Sequence, residues 1–423
     1  MESWTNWSGL VTAHMDGRVS VKDEAQLAGL IRSAQGPIKV VGSGHSFTPL
    51  CATDGTQLLL EGFCDVVADG PGTVRAGAGV TLNALARQLH AQGHALANMG
   101  DIDAQRLGGL LATATHGTGA GFRTLSAELR GMVLYDGRGQ RRELSQDRDG
   151  PLFRAMAVSL GTGGIITEFR LATVAPYRLT RHRSVVRLDE IIADLPRLLR
   201  AARNVEYYYI PHSGLALCLT SQLDPAAPDR LPADGGDQDG LRRLRMMARL
   251  MRRAPRLRRY MLGRLASLLP AETISGDWHR VYPTDREGLR FNETEYHLPV
   301  EAAPAALSEV IRVIERHFPE VYFPMEIRLT AADDLPLSPF YGRDCVSIAV
   351  HHEAGRDFAP LLAAVEPIFL RHEGRPHWGK LHSLTAPDLR PLYPLWDEAI
   401  EARRELDPDG RFLTPYLRRL LGL

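Results

Sequence analysis

The sequence predicts an α+β protein of two domains, on three observations. At 423 residues the chain is longer than one hydrophobic core commonly supports. Its N-terminal half alternates short amphipathic helices with short apolar strands. Three glycine-rich tracts lie within that stretch, at 40–48, 107–121 and 161–166, more than the turns between elements require.

Taken in order, Ser20 followed by Asp23 and Glu24 reads as an N-cap with acidic residues in the first turn, so a helix runs to about Ala34. Gly36 and Pro37 end it. Ile38 to Val41 is a buried strand that delivers the first tract, Val40-Val41-Gly42-Ser43-Gly44-His45-Ser46-Phe47-Thr48. Glycines at 42 and 44 let successive backbone amides converge on an anion. The tract is neither a G-x-G-x-x-G fingerprint nor a P-loop: Phe47 stands where the third glycine belongs, and no Lys-Ser or Lys-Thr follows. Alone, it reads equally well as a plain turn carrying a surface histidine.

Val74 to Val80 is a second strand and turn, after which Thr81 caps a helix with Leu82, Leu85, Ala86 and Leu89 at helical spacing. Leu107 to Gly121 is dominated by small residues and hydroxyls, a backbone-exposed wall that suits a flat or extended ligand. Gly161-Thr162-Gly163-Gly164 leads into a strand over Thr167 to Ala172. Together the three tracts point to a dinucleotide site. Pro176 marks a domain boundary, where the composition turns toward arginine.

Asp224 to Gly240, rich in Pro, Asp and Gly, predicts an exposed excursion. Leu241 to Leu269 then carries arginines between Leu244, Met247, Met251, Leu257, Met261 and Leu265, broken at Pro255. A surface helix with its stripe in the core is the favoured reading. Weak membrane-surface contact through 242–264 is the alternative.

A second chemical cluster follows. Met325-Glu326-Ile327-Arg328 alternates as a strand, which puts Glu326 and Arg328 on one face. A carboxylate accepts hydrogen bonds from sugar hydroxyls, and a guanidinium donates to an oxygen that becomes negative as hydride leaves carbon. An exposed ion pair is the plainer reading. Arg375-Pro376-His377-Trp378-Gly379-Lys380 gathers an aromatic, a histidine and a lysine around a tight turn.

Composition excludes several classes. Lys plus Arg and Asp plus Glu are 50 each, which argues against nucleic acid as a partner. Cys51, Cys64, Cys218 and Cys345 are too scattered for a disulfide scaffold or a zinc site, so no metal is expected. With no signal-like start and no run of 18 apolar residues, a cytoplasmic protein is the expectation.

These motifs resemble a family. Val41 to Ser46 with Ala-Thr-His-Gly-Thr-Gly at 114–119 is similar to the FAD domain of the vanillyl-alcohol-oxidase superfamily. Glu326-Ile327-Arg328, Leu337-Ser338-Pro339-Phe340-Tyr341, Arg375 to Lys380 and Asp407-Pro408-Asp409-Gly410-Arg411-Phe412 resemble its sugar-oxidising branch, the aldonolactone and alditol oxidases, most of all the D-arabinono-1,4-lactone oxidases.

The resemblance implies a two-subdomain PCMH-type FAD-binding domain over 1–175, an α+β cap (substrate) domain over 176–400 and a segment, 401–423, that returns to the FAD domain. FAD would be covalently attached through His45. The residues matched to the cofactor are Val41, Gly42, Ser43, Gly44, His45 and Ser46, then Gly109, Thr113, Thr115, His116 and Gly117, with Gly100, Asp101, Ile166 and His377. Glu326, Arg328 and Lys380 would be catalytic, and with Asp101 and His351 would bind substrate. Lys380 would sit near the flavin N1. Asp101 replaces a serine of the alditol oxidases and His351 replaces a hydroxyl-bearing contact, departures that favour a lactone. Gly100 stands where related dehydrogenases carry alanine, which favours an oxidase. The implied reaction is oxidation of a sugar lactone, or alternatively a polyol, with dioxygen reduced to hydrogen peroxide.

Overall fold

The computed structural model describes residues 2–231, 236–251, 253–267, 271–283 and 290–423. The first glycine tract leaves the end of the strand Ile38–Val40, which lies beside Thr56–Leu59 in a parallel three-stranded sheet with Gly17–Ser20. A second, antiparallel sheet of five strands follows, in the order 66–68, 73–77, 165–172, 129–135, 141–145. The helices Glu24–Ser33 and Leu82–Ala91 each bury an apolar face, and the second packs on the strand Val66–Ala68. Thr81 caps the second helix as expected, its hydroxyl accepting from Ala84 N. The first helix is capped by Asp23 rather than Ser20: Asp23 accepts from Gln26 N, while the Ser20 hydroxyl is spent on Glu61.

From Arg178 the chain builds an eight-stranded antiparallel sheet, in the order 272–277, 178–187, 215–223, 204–210, 325–330, 345–353, 291–299, 375–376. The helices Ala303–His317 and Ala359–Arg371 pack against each other and cover one face of it. Along Phe291–Pro299, side chains alternate across the sheet. Tyr296 lies on the helix side, where its hydroxyl meets Glu366 at 2.5 Å, and Glu293, Glu295 and His297 lie on the opposite face. Both faces are buried, so a strand carrying three charged or polar residues in alternation is an interior strand here.

The two regions are stitched together. Gly119 N donates to Leu329 O at 2.7 Å, Asn204 Nδ2 donates to Thr118 O at 2.6 Å, and Tyr177 OH reaches Leu96 O. The helix Trp396–Leu406 packs on Gln146–Ala157. Beyond it, Asp407 gathers the amides of Arg411 and Phe412, and Ile38 N donates to Arg411 O at 2.9 Å.

The basic segment forms two helices, Gly236–Leu250 and Pro255–Ser267. The first begins inside the stretch expected to be irregular, and positions 232–235 lie outside the described residues. In the first helix Met247 is buried as expected. In the second the expected stripe is wrong: Leu257 is 52% and Leu265 50% exposed, while Leu262 and Arg258 face inward. Arg258 Nη1 bonds Pro319 O, so a tertiary contact turned that helix about its axis. No helix among the described residues is long and apolar enough to cross a membrane.

Candidate active site

All three glycine tracts wall one cleft. Val41, Gly42, Ser43, Gly44, His45 and Ser46 come from the first, Gly109 and Thr113 from the second, and Ile166 from the third. Gly44 sits at φ +70°, and a Cβ there would stand 3.2 Å from the Trp4 ring, so both conformation and space call for glycine. Sequence reasoning missed Lys39 and Phe412 at the cleft. Lys39 Nζ donates to Gly161 O at 2.7 Å and to Phe412 O at 3.4 Å. Burial pulls its pKa down to about 8, against the pull of Cys51 and Asp407.

His45 marks one end of the cleft. Its ring stacks on Trp7 at 5.7 Å, and its Nδ1 is buried with no hydrogen-bond partner among the described residues. Burial first, then Lys380, lowers its pKa to about 4, so the imidazole is neutral at physiological pH. A glycine-walled cleft with an orphaned imidazole nitrogen fits a dinucleotide held by backbone amides and one ring nitrogen.

The Arg375 to Lys380 tract is brought to that end by backbone bonds. Phe47 N donates to Gly379 O at 2.7 Å, and the Thr48 hydroxyl donates to Trp378 O at 2.9 Å. Lys380 thereby sits over the Phe47 ring, 5.2 Å from its centroid, and pairs with Glu293. His351 Nδ1 donates to Pro324 O at 2.9 Å, leaving Nε2 at 3.5 Å from the same Glu293.

Beside this pair, Arg328 Nη2 lies 3.0 Å from Glu295 and 3.4 Å from Glu326, all three buried. The exposed-ion-pair reading of Glu326 and Arg328 therefore fails. Tyr208 OH donates to Glu326 Oε1 at 2.8 Å. Asp101 faces the same cluster, its charge acting on both Glu206 and Arg328. Burial disfavours the charge on Arg328, but Glu326 and Glu295 outweigh it and hold the guanidinium well above its ordinary pKa. Burial likewise works against Glu293, yet Lys380 and His351 hold it down at about 2. Two groups in this cluster have metal-like ligand spacing, His116 with Glu295 and His297, and Glu293 with Glu326 and His351. In each, a glutamate is already paired with Arg328 or Lys380, so side-chain cations stand where an ion would.

Glu293, Glu295, Glu206 and Tyr208 were not singled out from the sequence. The alternation used for Glu326 and Arg328 recurs in Asn292-Glu293-Thr294-Glu295-Tyr296 and Val205-Glu206-Tyr207-Tyr208, and is the signal that finds them.

Six residues matched to the cofactor do not line the cleft: Gly100, Asp101, Thr115, His116, Gly117 and His377. Next to them, Thr118 and Gly119 are bonded to strands of the eight-stranded sheet. His116 instead lies 3.3 Å from Glu295 and 3.1 Å from the Thr330 hydroxyl, on the substrate-side cluster. His377 stands near it, 6.1 Å between ring centroids, and burial sets its pKa at about 3.

These groups fix an acid response. Burial lowers His45, His212, His377 and His382 to about 4, 4, 3 and 4 from an ordinary 6.5. The unfolded chain takes up their protons first, so stability falls as pH drops below about 6.5. Glu293, held at about 2 against an ordinary 4.5, adds a loss between those values. Glu206, raised to about 7 by burial and then by Glu326 and Asp101, acts in the opposite sense between 7 and 4.5. Asp333, raised to about 6 by burial, acts as Glu206 does, but four histidines outweigh two carboxyls and give a urea midpoint that declines from pH 6.5 to 4; a midpoint that stays level or rises over that range would contradict the assignment.

The cleft and the buried acid and cation cluster meeting at His45 define a flavin-dependent oxidoreductase of two packed parts. The chain belongs to the D-arabinono-1,4-lactone oxidase family, whose model matches residues 169–420. An FAD-binding domain model matches residues 15–145. An L-gulono-1,4-lactone dehydrogenase of Mycobacterium tuberculosis is 37% identical over 99% of both chains. An alditol oxidase of Streptomyces is 29% identical over 99% of this chain and 98% of its own. Among solved structures, a solvent-stable cholesterol oxidase superposes with a TM-score of 0.83 at 18% identity, covering 100% of this chain and 97% of its own, a likeness of fold.

Proposed function

We propose that this chain oxidises a sugar-derived 1,4-lactone of the gulono or arabinono type, with FAD tethered through His45 and dioxygen as acceptor, giving hydrogen peroxide. The convergence of His45 with Lys380, Glu293, Arg328 and Glu326 at one end of the cleft carries the reading. FAD, when bound, supplies the two-electron acceptor. Glu326 accepts a hydrogen bond from the reacting hydroxyl, while Arg328 and Lys380 face the oxygen as negative charge grows on it. Both cations are fixed by glutamates before substrate arrives, so no reorganisation is needed at the moment of reaction. The neutral His45 imidazole would hold the cofactor through a nucleophilic ring nitrogen.

Dioxygen as acceptor rests on the family likeness at Gly100; the residue itself lies off the cleft, where a Cβ would press on His116 O at 3.3 Å. The 37% identity to a dehydrogenase favours a second reading, in which another acceptor takes the electrons. Peroxide and dye-reduction assays over a panel of lactones and alditols separate these. Faster turnover of xylitol or sorbitol than of any lactone would sink the lactone reading, and dye reduction without peroxide would select the dehydrogenase.

The tether has its own check. Acid-precipitated wild type should stay yellow, whereas His45→Ala should fold, release all its flavin into the acid supernatant and oxidise substrate more slowly. Release of flavin from the wild type would remove the tether, and unchanged turnover in the variant would remove any tuning role.

A further inference from the structure

Oxidation of a hydroxyl releases a proton where the structure has buried the acceptor. Glu326 is 3% exposed, boxed between Arg328 and the strand Asn204–Ile210. A proton left there would neutralise the carboxylate that must bind the next substrate. Strand register supplies a way out. Tyr208 lies opposite Glu326 and Glu206 opposite Arg328, so all four side chains share one face of the sheet. The Tyr208 hydroxyl stands 2.8 Å from Glu326 Oε1 and 3.3 Å from Glu206 Oε2, bridging the two carboxylates. Exposure rises along this line, from buried Glu326 to half-buried Tyr208 and Glu206.

We propose that Tyr208 and Glu206 form a proton relay that drains Glu326 after each oxidation. The inference rests on the oxidation proposed above. The O–H bond of the reacting carbinol breaks as its proton passes to Glu326, and the C–H electron pair leaves as hydride to the bound flavin, so carbon is oxidised and flavin reduced. Tyr208 then turns its hydroxyl, takes the proton from Glu326 and gives its own to Glu206, which releases it to water. No net charge is left on the tyrosine.

Glu206 is suited to be the last member. Burial raises its pKa most, Glu326 and Asp101 raise it further, and Arg181 and Arg328 oppose them, leaving it at about 7. At that value it can accept a proton from the interior and lose it to solvent at neutral pH. Below pH 7 it is already protonated, so turnover should fall on the acid side.

The test uses the flavin-loaded enzyme with whichever lactone or alditol the wild type turns over fastest. Tyr208→Phe and Glu206→Gln should each lower kcat by roughly 10²-fold, the low end for loss of a proton-transfer group, with KM little changed. The acid limb of kcat near pH 7 should vanish in Glu206→Gln and return, displaced, in Glu206→Asp. An infrared titration without substrate should show a carboxylic C=O band that disappears near pH 7 in the wild type and is missing from Glu206→Gln. Raised KM with unchanged kcat and acid limb would mean that the pair only contacts substrate, and would overturn the relay, as would persistence of the infrared band. A wild type inactive on every lactone and alditol would instead remove the oxidation on which the relay depends.

Discussion

Arg328→Met will lower kcat/KM by roughly 10²- to 10³-fold, the usual cost of deleting a preorganised donor to a developing oxyanion. The same change will destabilise the fold by about 3–5 kcal/mol, because it strands buried charges. Glu295 and Glu326 lie within 3.0 and 3.4 Å of the guanidinium, and neither has solvent to turn to. The two losses come apart in the double variant Arg328→Met with Glu295→Gln. Removing one of the two stranded charges should restore part of the urea midpoint, since a neutral replacement within a buried pair is commonly tolerated, yet turnover should stay low. Recovery of turnover together with stability would mean that Arg328 is a structural cation and takes no part in the chemistry.

Lys380→Met should lower kcat/KM by roughly 10²-fold while flavin content stays that of the wild type. Lys380 is less enclosed than Arg328, with its side chain 16% exposed, so its removal should cost less stability. Glu293 keeps His351 at 3.5 Å as a second partner. What must change is the acid response: Lys380 leads the charges that hold Glu293 at about 2 against burial. Without it, the stability that wild type loses only between pH 4.5 and 2 should be missing already at pH 5. A loss confined to KM would reassign Lys380 to substrate binding alone, and wild-type behaviour in acid would contradict the ion pair.

How much of this was readable in the chain depends on how local each signal is. The capped helix Leu82–Ala91 and the glycine tract at 40–48 carry their causes within a few residues, a Thr81 hydroxyl or a glycine at positive φ, and both stand as read. Glu326 and Arg328 were found because strand alternation fixes their common face, although their burial came as a correction. Glu293 and Glu295 were passed over since a strand with two carboxylates and a histidine looks like a surface strand. Only contacts 33 to 87 positions away, to Arg328, His351 and Lys380, make it an interior one. The second basic helix failed for a related reason. Its own spacing favours a Leu257 and Leu265 stripe, but Arg258 found Pro319 O and turned the helix. Of the cofactor residues matched through family likeness, those before position 114 and Ile166 line the cleft except Gly100 and Asp101, and the later ones were drawn to the cap by hydrogen bonds that no local pattern announces.

The cleft floor has an unusual provenance in the order of synthesis. Most of its lining lies between Ile38 and Ile166, but Phe412 completes it and is locked there by Lys39 and by the Asp407 carboxylate. A ribosome therefore makes the eight-stranded sheet and every residue before 412 ahead of the last wall of the nucleotide pocket. Flavin capture waits for Phe412: a nascent chain halted a few residues short of it should emerge colourless, however well its earlier parts have folded.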